Sequence, residues 1–234
     1  GRMSTLPNTA IGNETSLEDV IAFLAKNGID KPTIWAQFDE LDKVKLTSLI
    51  EKLDAIEAEV FDKVVHSCNK KSFESDKSGR KGKVFEDITQ ALMAGVRCFH
   101  SVQNVTTATN QLDLLVQLAP TSSIVPAFRE WGAHFITECK FHDTHVTSTW
   151  IEKLQAILMT HGSRVGLLIS RKGIATAGRG RNVIHLMQLL AVQNYFVLCL
   201  DLDDVRHCAT NGGILQLLVN RFMEARLGAR ARSF

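Results

Sequence analysis

Phe135-Ile136-Thr137-Glu138-Cys139-Lys140-Phe141, then HDTHVTSTWIEKLQAILMTHGSR (142–164), then Val165-Gly166-Leu167-Leu168-Ile169 reads as strand, helix, strand. The last run is apolar at every position, as a central strand covered on both faces must be. Residues 146–160 form an amphipathic helix, with Ile151 and Leu154 on its apolar stripe and Gly162 closing it. Working outward, residues 84–94 make a helix with Phe85, Ile88 and Leu92 on the buried side, ended by Gly95. A strand covers 111–118. Beyond 169 come a helix over 180–193, a strand over 195–200 and a last helix over 213–227. The order helix, strand, strand, helix, strand, helix, strand, helix predicts an α/β domain whose mixed central sheet is flanked by helices.

A small helical region is expected ahead of this domain. Residues 1–15 read as a loose tail, with Gly1-Arg2 before Met3 as a cloning remnant. Ser16-Leu17-Glu18-Asp19 resembles a capping box opening a helix that Gly28 ends. A second short helix covers 33–41, and a long one runs from Asp42 to about His66. Its seam, Leu46, Leu49, Leu53, Ile56 and Val60, suits either an intrachain hairpin or a dimer contact. The Ser-, Gly- and Lys-rich stretch CNKKSFESDKSGRKGK (68–83) reads as a basic linker, placing the domain at 84–227 with a tail at 228–234.

The chain has 234 residues, 45% hydrophobic and 22% charged, the composition of an ordinary globular protein rather than a disordered or fibrous one. No apolar run approaches a membrane span, and the start lacks the features of a secretory signal. Five cysteines without a CxxC pair suit reduced thiols and a cytoplasmic setting. A formal charge of +2 does not by itself announce a nucleic-acid binder, so any basic surface must be local.

The chemistry concentrates on two strands. Asp113 is the one charged residue in Gln111-Leu112-Asp113-Leu114-Leu115-Val116. In Glu138-Cys139-Lys140, alternation puts Glu138 and Lys140 on one face and Cys139 on the other. If the strands are neighbours, two carboxylates and an ammonium meet at one sheet edge. Buried strand charges are costly unless paired or bound to a cation. A Mg²⁺ (or Mn²⁺) ion suits oxygen ligands from Asp113, Glu138 and the main-chain carbonyl of Cys139, with phosphate and water completing its shell. Lys140 then orients the attacking water or balances charge on the phosphorus.

Asp113 followed by Glu138-x-Lys140, behind a helix carrying Glu86 in GKVFED (82–87), resembles the PD-(D/E)xK nuclease superfamily, the restriction-endonuclease-like fold. The stretch from Gly82 to about Val205 is similar to the Mrr-type restriction endonuclease catalytic domain, including GLLISRKGIATAGRGR (166–181) and a strand running into the acidic turn LCLDLDDV (198–205). The resemblance implies a metal-dependent endonuclease, a hydrolase that binds DNA, with Glu86 as an auxiliary residue. Leu112 stands where the family's name has proline. About two dozen residues between Asp113 and Glu138 call for a long hairpin or an inserted loop. A homodimer would supply two active sites for a duplex.

Other readings stand beside this one. Glu138 and Lys140 suit a plain edge-strand ion pair, and the whole domain suits a catalytically silent nuclease-fold protein serving nucleic-acid binding or assembly. His134, Cys139, His142 and His145 are too irregularly spaced for a structural zinc site. Arg171, Lys172, Arg179 and Arg181 sit in the loop and helix start after VGLLI, where they would meet phosphate or simply solvent. Trp131 and Trp150 invite base stacking, with Trp150 better placed as core.

Overall fold

A computed structural model describes residues 36–65, 68–107, 111–175 and 178–227, together with Ala22 and Lys26. The expected tail at 1–15, the tail at 228–234 and nearly all of the helix from Ser16 lie outside the described residues. Helix α1 (Lys43–Ala58) leads into α2 (Lys70–Ala94), then strands β1 (Phe99–Thr106) and β2 (Gln111–Leu118). A 3₁₀ turn (Pro120–Ile124) and the single turn α3 (Phe128–Trp131) precede β3 (His134–Lys140). There follow α4 (Ser148–His161), β4 (Val165–Ser170), α5 (Arg179–Val192), β5 (Phe196–Leu200), α6 (Leu202–Asn211) and α7 (Ile214–Leu227).

The strands make one sheet in the order β1-β2-β3-β4-β5. β1 with β2 and β2 with β3 pair antiparallel, while β3 with β4 and β4 with β5 pair parallel. The protein is therefore α/β, with a five-stranded mixed sheet packed between helices and N-terminal helices ahead of it. On one face Leu114, Val116, Phe135, Leu167 and Leu198 join the apolar stripes of α1, α2, α6 and α7. On the other, Ile136, Leu168 and Val197 meet Ile151, Leu154, Ile157 and Leu158 of α4 and Val183 and Leu190 of α5. Every residue of β4 is buried, as its unbroken apolar run requires. Gly166 lets α4 lie close: a methyl group there would stand 2.9 Å from Leu154 Cδ2.

Three expectations are corrected. The stretch 67–83 is not a linker: from Lys70 it forms the first half of the 25-residue helix α2. Asn69 caps it by accepting the Ser72 amide at 2.9 Å. Its polar residues serve α1, since Lys77 Nζ donates to the carbonyls of Glu57 (2.9 Å) and Glu59 (2.5 Å) and Arg80 pairs with Glu59. The basic content thus caps the end of a neighbouring helix. Second, α1 stops at Ala58 rather than near His66, leaving Val60 exposed; Leu46, Ile50, Leu53 and Ile56 bury against the rest of the chain, as an intrachain hairpin demands. Third, residues 37–41 leave the helix, and Asp39 bridges to Val96.

Four elements were not read from the sequence: the 3₁₀ turn, α3, β1 and α6. β1 places apolar residues at 99, 102 and 105, a spacing that hides strand alternation. The acidic turn after β5 opens α6: Asp201 accepts the Asp204 amide while Asp204 accepts the Asp201 amide, a reciprocal cap.

Candidate active site

β2 and β3 pair with Leu114 opposite Thr137 and Leu115 opposite Ile136. The pairing ends there: Asp113 lies just beyond the last pair, and Leu112 and Leu114 on either side of it pack into opposite cores, so the alternation of β2 breaks at Asp113. The two strands part at this point. In place of a main-chain partner, the Cys139 amide donates to Asp113 Oδ2 at 2.8 Å. Between the strand ends, the Asp113 carboxylate thus faces the start of Glu138-Cys139-Lys140. The long connection that separates them in sequence is folded by the 3₁₀ turn and by α3, whose Trp131 is buried in the core.

Glu138 is 5% exposed. Its Oε2 accepts from Lys140 Nζ at 3.0 Å, while Oε1 is buried without a hydrogen-bond partner among the described residues. Burial pushes the Glu138 carboxyl above its ordinary range; the Asp113 charge adds to this, and Lys140 and Lys153 oppose it. For Lys140, burial works against the ammonium, but the charge and hydrogen bond of Glu138 outweigh it and raise its value. Lys153, on α4, is a cation near the site that the strand motif gave no reason to single out.

Glu86 stands on α2 beside these groups. Burial raises its carboxyl, Lys83 opposes at 3.8 Å, and the charges of Asp113 and Asp87 push it further up. Cys139 turns to the other face, as alternation requires: its thiol donates to Thr89 Oγ1 at 3.1 Å, and Thr89 in turn donates to the Phe85 carbonyl. It therefore points toward α2 rather than toward His142 or His145. The His142 ring lies 5.4 Å from the half-buried Trp150, and His145 Nδ1 lies 3.1 Å from the Lys172 carbonyl.

Among the described residues no group of three or more His, Cys, Asp and Glu side chains forms a metal-ligand cluster. The oxygens that the sequence offers to a cation are two carboxylates, Asp113 and Glu138, and the Cys139 carbonyl. That composition fits Mg²⁺, which binds proteins through one or two carboxylates and keeps waters or substrate phosphate in its other positions. The buried Glu138 Oε1, without a hydrogen-bond partner among the described residues, is the atom that a cation or a proton would satisfy.

The basic residues after β4 are not equivalent. Arg171 pairs with Glu57 at 2.7 Å and with Asp143, and its guanidinium lies over the Phe141 ring. Lys172 is exposed, and so is Arg181 in the first turn of α5; the side chain of Arg179 lies outside the described residues. Trp131, buried to 1% exposure among Phe128, Phe135 and Phe222, is a core residue and presents no face to a base. No helix among the described residues is long and apolar enough to cross a membrane. No family model matches the chain, and no curated protein or solved structure matches it either.

Proposed function

We propose that this chain is a Mg²⁺-dependent endonuclease of the restriction-endonuclease-like kind, hydrolysing phosphodiester bonds in DNA. The reading is carried by one observation: the Asp113 carboxylate meets the Cys139 amide where β2 and β3 part, next to Glu138, whose buried Oε1 has no hydrogen-bond partner among the described residues and whose Oε2 lies 3.0 Å from the Lys140 ammonium. Asp113 and Glu138, with the Cys139 carbonyl, would hold the ion. When bound, Mg²⁺ supplies charge for the phosphoryl oxygens and lowers the pKa of its water.

The chain's own residues then have separate tasks. Asp113 is fixed by the Cys139 amide, so its carboxylate is oriented before substrate arrives. Glu138 holds Lys140 protonated and in place. That ammonium orients the attacking water and offsets negative charge growing on the phosphorus. Glu86, outside the carboxylate pair, acts as an auxiliary acceptor on the α2 side. A duplex cut on both strands calls for two copies of the site, hence a homodimer.

The experiment is plasmid nicking by the full chain with Mg²⁺ or Mn²⁺. The expected result is metal-dependent nicking that disappears with Lys140→Ala. A chain that binds DNA without nicking it, and whose melting temperature ignores Mg²⁺, is instead a nuclease-fold binding or assembly protein.

A further inference from the structure

The active-site carboxylates make the candidate cleft a poor place for a polyanion unless cations stand beside them. Lys83 is spent on Glu86 and Asp87. Lys140 is spent on Glu138. A second cationic group lies at the same end of the sheet. Ser170 pairs with Lys140 in the parallel register, and the Arg171 amide donates to the Lys140 carbonyl at 3.2 Å. Phe141, the residue after Lys140, packs on Phe85 of α2 at 4.9 Å between ring centres. Two cations reach that ring: Lys81 Nζ at 5.5 Å from the centroid and the Arg171 guanidinium at 5.4 Å.

These two cations are held differently. Arg171 is bracketed by two carboxylates from separate parts of the chain, Glu57 in the last turn of α1 and Asp143 in the loop after β3. The Asp143 side chain is 72% exposed, against 26% for Arg171 and 21% for Glu57. A guanidinium presents several donors in a flat fork suited to a phosphate. Carboxylate oxygens occupy that fork here, and one of the two carboxylates stands open to solvent. Water screens the Asp143 end of the pair, so an incoming phosphate can compete with it for the guanidinium.

We infer that Lys81 and Arg171, gathered on Phe141, form a subsite for a backbone phosphate of the nucleic acid adjacent to the scissile one, and that Asp143 and Glu57 are a latch occupying Arg171 until that phosphate displaces Asp143. The inference rests on the nuclease reading for the identity of its ligand. α1 then takes part in substrate uptake: Glu57 ties it to the loop after β4, while Asp54 ties it to Arg206 of α6 at 2.6 Å. Releasing the latch tightens binding, whereas removing either cation weakens it.

The test is equilibrium binding of a labelled DNA duplex to the full chain, with Ca²⁺ replacing Mg²⁺ to suppress cutting. Asp143→Asn and Glu57→Gln are each expected to tighten binding about two- to fivefold. Lys81→Met and Arg171→Gln should weaken it and lower the slope of log K against log salt by roughly 0.9 each. Removing any acidic charge near DNA favours binding somewhat, so the deciding measurement is Asp143→Asn in the Arg171→Gln background, where the tightening should vanish. Arg171→Met serves the same purpose if the glutamine variant loses its fold, because methionine keeps an apolar stem on Phe141 without the charge.

Tightening that persists without the Arg171 guanidinium overturns the latch, and so does Asp143→Asn binding no better than wild type. Either result leaves the nuclease reading intact if the wild-type chain nicks DNA. Binding that follows the expected pattern in a chain that never nicks keeps the subsite and removes the hydrolase. Wild-type protein with no affinity for DNA removes both.

Discussion

Asp113 reaches across the parting of β2 and β3 to accept the Cys139 amide at 2.8 Å, replacing a rung of the ladder with a side chain. The bond ties the position of one carboxylate to the strand that carries Glu138 and Lys140. Local geometry and charge are thereby separable by mutation, because an amide oxygen can accept that hydrogen bond but cannot serve as an anionic ligand.

Asp113→Asn is expected to fold with a stability change under about 1 kcal/mol. It should lose the Mg²⁺-induced rise in melting temperature and cut DNA about a hundredfold more slowly or worse. Thermal melts with and without the ion check this, and an undiminished Mg²⁺ shift would remove Asp113 from the site.

Lys140→Ala leaves Glu138 buried without its ammonium. Cutting should fall by about two orders of magnitude or more. The loss of stability should shrink toward acid pH, because Glu138 relieves its isolation by taking up a proton. Denaturant melts across the pH range measure this; a stability loss independent of pH would mean that Glu138 is not ionised beside Lys140.

The pH dependence of the intact chain has a definite sign. Burial raises the carboxyls of Glu138 and Glu86 above 4.5, with the Asp113 charge adding to both. A carboxyl raised in the folded state contributes stability in full below its unfolded value and loses it as pH climbs through the folded one. Mg²⁺ binding favours the ionised forms, so its stabilising effect should grow from pH 4.5 toward neutrality. A Mg²⁺ shift that stays flat with pH sinks this account.

Alkylation should discriminate among the thiols. Cys98 is buried and pushed up to about 11, while burial pushes Cys139 and Cys208 up to about 12. Cys68 is exposed. Iodoacetamide at neutral pH should label Cys68 first in the native chain, with Cys98, Cys139 and Cys208 reacting only after unfolding. Mass spectrometry of digested samples reads this directly.

Limited proteolysis tests the corrected linker. As the first half of α2, residues 70–83 should resist trypsin despite their lysines and arginines, because cleavage needs the helix to open. Rapid native cutting after Lys77 or Arg80 would restore the linker.

Much of the fold was legible because its signals are local. The VGLLI run, the apolar stripe of α4 and its terminating Gly162 announce themselves within a few residues. So does the alternation that puts Glu138 with Lys140 and sends Cys139 to the other face. The elements that escaped are those whose ordering comes from distant partners. α2 holds its polar first half through Lys77 on the carbonyls of Glu57 and Glu59, and β1 exists through pairing with β2. Similarly, Arg171 has a basic residue's sequence signature, yet its neighbours come from residues 57, 141 and 143.

The sequence by itself determined which residues carry charge on buried strands and that Glu138 and Lys140 face away from Cys139, because side-chain direction in a regular strand follows from backbone alternation. Only the tertiary structure decided that Asp113 meets the Cys139 amide, that one Glu138 oxygen has no donor among the described residues, and that Arg171 is already occupied. Those facts depend on strand register and on which helix covers which sheet end. Both are set by the packing of the whole core, which no short stretch of chain contains.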